Sequence, residues 1–433
     1  MKLAKMSLAA ALLMGASAFA IENTKVSGDA KLYYTTNDAE QADGDSGSLF
    51  EKDNSNADAA FNLGVTTDLA KGLSAGAKLS IVSTLGLENN LVSGTFGNSH
   101  GVTGNASDFG AQADDAYWMS EAWVAASMAN TTAKLGRMEL DTPLVFSETW
   151  SVETNTFESA VLINTDIPDT TIVAAFVGRS NDATRDTAVG TLNDAGLTQG
   201  GVVAQNGKFN TFGLSGLNAV VGTNYRDNGA YAFAVVNNSY KPLTVQAWYY
   251  DVLTTANAYW LQADYSLDSL GLTVGAQYTA GSLDDDNGVA AGDVDLNAYA
   301  LKVGYAMDAL SVSAAYSQIG EDFGWGGNLA ASGASKLYTE AWWNYTYITQ
   351  ADTASINVTA EYAVKDVADF GLYFTQADQS ADAGSNDLQE VTVTASVPVG
   401  FVNATLAYIN TDAENQNAGD AYNSVQVYLD ASF

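Results

Sequence analysis

Apolar and polar residues alternate along most of the chain, in segments of about ten residues divided by turn-forming stretches. The clearest segment is the last, residues 422–433. Val425, Val427, Leu429, Ala431 and Phe433 fall on one face, and Ser424, Gln426, Tyr428, Asp430 and Ser432 on the other, because successive strand residues point to opposite sides. Near the amino end, residues 25–34 set Ala30, Leu32 and Tyr34 against Asp29, Lys31 and Tyr33. Residues 58–68 present Phe61, Leu63 and Val65; Leu69-Ala70-Lys71-Gly72 then turns the chain, and Leu73, Ala75, Ala77, Leu79 and Ile81 oppose Lys78.

In residues 257–266 the apolar face reads Tyr259, Leu261, Ala263, Tyr265, with Trp260, Gln262 and Asp264 opposite. Residues 295–306 give Tyr299, Leu301, Val303 and Tyr305, with Lys302 opposite. In both, aromatics bracket an aliphatic middle. A soluble sandwich accounts for alternation but not for aromatics at both ends of several strands. Girdles of Tyr and Trp at two bilayer interfaces account for both. Short connections, such as Ile167-Pro168-Asp169 and Met307-Asp308-Ala309, alternate with long ones rich in Asp, Asn and Gly. This rhythm predicts an all-β fold, a transmembrane antiparallel β-barrel of about 18 strands with short periplasmic turns and long extracellular loops. At that strand number the interior is a water-filled channel rather than a packed core.

The amino terminus adds an address. Lys2 and Lys5 precede an apolar run over residues 7–15 and then Ala18-Phe19-Ala20. That is the plan of a secretory signal peptide, residues 1–20, which leaves residues 21–433 as the barrel. No run of about 20 apolar residues follows, so no transmembrane helix is expected. The net charge of −33 argues against nucleic-acid binding, which needs a basic footprint, and draws cations to the molecule.

Catalytic chemistry finds little support. His100 is the only histidine and there is no cysteine, so neither a zinc set nor a cysteine nucleophile is available. Asp284-Asp285-Asp286-Asn287-Gly288 begins like a calcium loop, but its twelfth position is Asp295 rather than Glu. Gly324-Trp325-Gly326-Gly327 lacks the strand–helix context of a phosphate cradle and reads as loop punctuation. No enzyme activity and no cofactor are expected, beyond weak divalent-cation binding by acidic loops that bridges them to lipopolysaccharide phosphates.

Residues 134–158 carry the chemistry of interest. A strand ends in Lys134-Leu135-Gly136-Arg137, and a loop follows with Glu139, Asp141, Pro143, Glu148, Trp150 and Glu153 before a new strand begins near Ser159. This run, with the Asn164-Thr165-Asp166-Ile167-Pro168-Asp169 turn after it and the terminal Phe433, resembles the OprD-type outer-membrane porins, closest to the major porins of campylobacter-like bacteria. The resemblance implies an 18-stranded barrel, often trimeric, whose third loop folds inward against a ladder of basic side chains. It implies Glu148, Trp150 and Glu153 near the eyelet and Glu139 and Asp141 at its entrance. Lys31, Lys78, Lys134 and Lys302 become the inward basic rungs, and Phe433 the signal read by the barrel assembly machinery. The OprD pattern is arginine-rich along the permeation path, whereas this chain has four arginines in all; the excess of acid therefore points to a cation-preferring pore for ions and small hydrophilic solutes. A non-conducting barrel and a secreted surface-layer or adhesin protein are the readings that compete.

Overall fold

The computed structural model describes residues 22–40, 47–83, 85–87, 90–92, 94–95, 116–149, 152–180, 210–211, 229–253, 256–283, 296–330 and 334–433. The expected signal peptide, residues 1–20, His100, Trp150 and the acidic run at 284–288 lie outside them. One sheet holds twenty strand segments; two are two-residue bridges, Gly94–Thr95 and Asn210–Thr211, and the other eighteen build the wall.

In chain order the wall strands are β1 Glu22–Asn37, β2 Ser55–Ala70, β3 Leu73–Ser83, β4 Ala116–Met128, β5 Thr131–Met138 and β6 Phe157–Asn164. Then come β7 Thr170–Ser180, β8 Ala230–Asn237, β9 Leu243–Val252, β10 Ala256–Leu267, β11 Leu272–Leu283 and β12 Leu296–Met307. The last six are β13 Leu310–Ile319, β14 Thr353–Val364, β15 Ala368–Gln379, β16 Leu388–Val399, β17 Val402–Ala413 and β18 Tyr422–Ser432. Each pairs antiparallel with the next, and β18 returns to β1 from Asp29 opposite Ser432 to Asn37 opposite Ser424. The result is a closed antiparallel β-barrel.

Several strands run two or three residues beyond the alternation seen in the sequence. The extensions are polar: Thr35, Thr36 and Asn37 on β1, Ser55 and Asn56 on β2. Such residues continue the hydrogen-bond ladder without continuing the apolar rows, so periodicity alone stops short of them. Turns of two residues, such as Lys71-Gly72 and Gly400-Phe401, close one end. The other end carries the long connections, with one exception: β9 ends at Val252 and β10 begins at Ala256.

The two faces divide as the alternation predicts. Tyr259 and Leu261 are about half exposed on the outside while Trp260 between them is fully buried inside. Tyr299, Leu301, Val303 and Tyr305 are likewise outward. A bulge interrupts β3 and β4, where Lys78 faces Glu121 and Leu79 faces Met119. The extra residue, Ser120, turns inward and hydrogen-bonds Ser80 through their hydroxyls at 2.9 Å.

The seam is locked at its last residue. The Phe433 N–H donates to the Gly28 carbonyl and the Gly28 N–H to the Phe433 carbonyl, both at 2.9 Å. The Phe433 ring lies over Gly28 on the outer face and stacks on Phe61 of β2 with centroids 5.8 Å apart. A Cβ on Gly28 would stand 2.5 Å from both that ring and the Asn62 carbonyl, so no larger residue fits. Gly28→Val therefore displaces the ring and breaks the terminal pair. Its expected cost is about 1–3 kcal/mol, as for overpacking elsewhere, read as a lower temperature for loss of the heat-modifiable folded band; an unchanged temperature would show that the seam does not depend on Phe433.

Candidate functional site

The lumen is narrowed from the loop end by two segments. The third loop, residues 139–156, leaves β5 and begins as a small hairpin over residues 140–147. Ser147 N–H donates to the Leu140 carbonyl at 2.7 Å and Thr142 N–H to the Val145 carbonyl at 3.2 Å. Pro143 sits in its turn, where its fixed φ and missing donor are tolerated. The tip residues Leu144, Val145 and Phe146 are buried. Leu144 N–H faces the hydroxyl of Tyr250, an inward residue of β9, at 3.4 Å. Farther along, Val152 is fully buried with Tyr33, Val82 and Trp118 of the β1–β4 wall. The third loop thus stretches from the wall at β1–β4 to the wall at β9.

The seventh loop, residues 320–352, is the partner that sequence reasoning missed. Trp325 donates its Nε1–H to Thr279 Oγ1 at 3.0 Å, and its ring occupies the space a side chain at Gly281 would need. Leu329 N–H donates to the Leu144 carbonyl at 2.8 Å, and Asn328 Nδ2 to the Phe146 carbonyl at 2.8 Å, so the two loops are stitched together. Tyr338 Oη donates to Asp264 Oδ1 at 2.6 Å. Glu390 of β16 accepts from Trp343 N–H at 3.0 Å, Asn344 N–H at 2.8 Å and Asn344 Nδ2 at 2.8 Å. A signal was available: a loop holding Phe323, Trp325, Leu329, Leu337, Tyr338, Trp342, Trp343, Tyr347 and Ile348 is too apolar to be a solvated turn, and the glycines at 324, 326 and 327 frame a buried anchor, not punctuation.

The candidate site residues separate into two groups. Glu139 and Asp141 are exposed and each meets a lysine: Lys78 Nζ lies 3.2 Å from Glu139 and Lys336 Nζ 2.9 Å from Asp141. Lys336 was not among the expected rungs. Glu148 and Glu153, expected beside the eyelet, are 5% and 2% exposed, and both are engaged in holding the loop. Asn328 Nδ2 donates to Glu148 Oε1 at 2.6 Å, and Asn62 Nδ2 to Glu153 Oε1 at 2.8 Å. Burial pushes the Glu153 carboxyl up, opposed by hydrogen bonds from Ser80 and Asn62 and by the charges of Lys78 and Lys31.

The remaining rungs point inward with different partners. Lys31 lies 3.7 Å from Asp29. Lys134 sits over the Trp123 ring, 4.3 Å from its centroid, and Lys302 over Tyr338 at 5.7 Å. Lys336 also covers Phe146 at 4.6 Å. Contacts of an ammonium with a ring face of this kind leave the positive charge in place. Among the described residues no group of His, Cys, Asp and Glu could hold a metal ion, and no helix is long and apolar enough to cross a membrane.

A closed antiparallel barrel of eighteen strands has known counterparts. The model of the Gram-negative porin family matches residues 7–339. The chain belongs to the Gram-negative porin family. Among solved structures, Acinetobacter baumannii OccAB2 aligns with a TM-score of 0.72 at 15% identity, over 95% of this chain and 98% of that one. Pseudomonas aeruginosa OccK8 (OprE) gives 0.71 at 16% over 96% and 99%, and P. aeruginosa OccK3 (OpdO) 0.68 at 13% over 95% and 96%. At these identities the likeness is one of fold. A search of curated proteins finds no match. The family and fold make this chain an outer-membrane channel and place it in the bacterial outer membrane, with outer-membrane lipid and lipopolysaccharide around it.

The porin's seventh loop contains a titratable latch. Glu340 accepts from Ser335 N–H at 3.0 and 3.1 Å and from Ser335 Oγ at 2.5 Å. Its side chain keeps some surface area, yet its depth in the loop desolvates the carboxyl and raises it from 4.5 to about 8; Glu390 adds to the rise, while the Ser335 bonds and Lys336 oppose it. A carboxyl raised on folding favours the folded loop fully below about 4.5, and that contribution is lost as pH climbs to about 8. Loop-dependent closures in bilayer recordings should therefore grow between pH 5 and 9, and Glu340→Gln should flatten the profile. A pH profile unchanged by the substitution would remove Glu340 from the account.

Proposed function

We propose that the porin is a passive, cation-preferring diffusion pore for ions and small hydrophilic solutes, with its selectivity set where the third and seventh loops cross the lumen. The observation that carries this reading is the unequal state of the inward charges. Lys31, Lys78 and Lys336 each stand beside a carboxylate. Asp264 accepts from Gln262 and Tyr338, and Glu361 from Ser311 and Tyr373. Those donors are neutral, as are the rings beside Lys134 and Lys302; inward Glu121 and Asp430 also accept from neutral groups, Trp123 and Ser432, so among these inward charges carboxylates with neutral partners outnumber ammonium groups with neutral partners. In a narrow, weakly screened passage such fixed charges raise the local concentration of the opposite ion.

The same reading retains a homotrimer, seated through the small-residue outer faces of the early strands, and kinship with the major porins of campylobacter-like bacteria through residues 134–158. It also retains Phe433 as the assembly signal, and divalent cations between the acidic loops and lipopolysaccharide. The competing reading, a barrel that does not conduct, draws on the same two joined loops.

The decisive measurement is the zero-current potential of the refolded protein in a planar bilayer under a potassium chloride gradient. A potential of cation-selective sign is expected. Neutralising the two exposed loop carboxylates, Glu139→Gln with Asp141→Asn, frees Lys78 and Lys336 and should shift the potential toward anions. An anion-selective wild type would overturn the preference, and a folded barrel that shows no steps would favour the closed reading.

A further inference from the structure

An ion-pair cluster on the outer wall takes no part in the channel. Glu158 on β6 stands opposite Arg137 on β5 and Arg179 on β7. Residues directly opposed across antiparallel strands share a face. Arg137 follows Leu135, which is 65% exposed on the outside, and Glu158 shares its face with outward Leu162. All three charged residues therefore face away from the lumen, at the loop ends of their strands.

The geometry is one carboxylate between two guanidinium groups. Arg137 Nε donates to Glu158 Oε1 at 2.9 Å and its Nη1 to the Met119 carbonyl at 3.1 Å. Arg179 Nη1 lies 3.8 Å from Glu158 Oε2, and its side chain is 57% exposed. The cluster carries net positive charge on a chain whose total is −33, and it uses two of the four arginines. Leu135 and Leu162 lie on the apolar side of it, and Phe176 packs against Tyr231 beside it with centroids 5.0 Å apart. Outward aromatics mark the level where the acyl region gives way to headgroups.

We propose that Arg137 and Arg179 form a docking site for the phosphate of an outer-leaflet glycolipid, with Glu158 holding the two guanidinium groups in place. Three features select this occupant. The site closes the rows of side chains that meet acyl chains, so its ligand arrives with a hydrophobic tail. Its charge is opposite to phosphate, and acidic loops elsewhere on the same end repel anions toward it. Guanidinium binds phosphate oxygens in pairs, which an exposed arginine with five N–H donors can do while one edge serves Glu158.

The test is native mass spectrometry of the full chain in detergent, titrated with diphosphorylated lipid A, with the same lipid after phosphatase treatment, and with inorganic phosphate. Wild type should retain the diphosphorylated lipid about tenfold better than Arg137→Gln/Arg179→Gln, the combined effect of about threefold for each guanidinium lost. Dephosphorylated lipid should bind wild type and variant alike, inorganic phosphate should be held by neither, and single-channel conductance should be the same for both. If the double variant does not fold, Arg179→Gln alone carries the test, with a loss of about threefold or more expected. Equal retention of the diphosphorylated lipid by wild type and variant would overturn the proposal. So would a variant that loses oligomers while keeping the lipid, which would make the cluster a contact between copies of the chain.

Discussion

The constraint on which the structure depends is that a backbone in hydrocarbon must pair every N–H and carbonyl. Each unpaired group there costs several kcal/mol, so a sheet with free edges cannot remain. The pairing of β18 with β1 removes both edges at once. Its last bonds, between Gly28 and Phe433, extend the ladder to the final residue of the chain. Everything inside the barrel relies on that closure, because the inner wall can offer side chains to the loops only if its own backbone is already satisfied. Asn62, Thr279 and Glu390 receive or donate bonds to loop segments in this way.

The two loops are held by different forces from those that act on solutes. Exposed ion pairs such as Lys78–Glu139 and Lys336–Asp141 contribute about 0.2–1 kcal/mol each. Burying Leu144, Val152 or Trp325 contributes more, about 1.5–3 kcal/mol for an aliphatic or aromatic side chain taken from water. Buried acceptors at Glu148, Glu153 and Glu390 then fix the register of the loop backbone. With position set by apolar anchors and buried acceptors, the exposed charges at 139, 141 and 336 carry little structural duty.

Much of the wall was legible in the sequence, and the reason is geometric. A strand with lipid on one side and water on the other must alternate, so Tyr259, Leu261 and Trp260 declare their faces without a structure. The inward third loop was legible through its resemblance to known porins. Which of its acids face the lumen was not: Glu139 and Glu153 are the same residue type in the same loop, and Glu153 is buried by its partners Asn62 and Ser80, on strands distant in sequence, and by the packing of Val152 beside it. The seventh loop failed for a related reason. Its anchors, Thr279, Asp264 and Glu390, come from three strands far apart in sequence, and its glycines disguised an aromatic core as a solvated turn.

One local feature ties the inner and outer faces together. β5 and β6 have eight residues each, against twelve for most strands from β10 onward. Eight residues span roughly 27 Å along the strand, and less along the membrane normal once the strands tilt by about 40°. The wall is therefore low where the third loop leaves it, which lets the chain enter the lumen at once instead of rising over a rim. The same shortening brings Arg137, Glu158 and Arg179 down to the edge of the apolar belt. An arginine facing lipid costs about 2–4 kcal/mol at mid-membrane but about 0–1 near the interface. Placing Glu158 between the two guanidinium groups reduces what remains of that cost. The outer charges and the inward loop are thus two consequences of one short pair of strands.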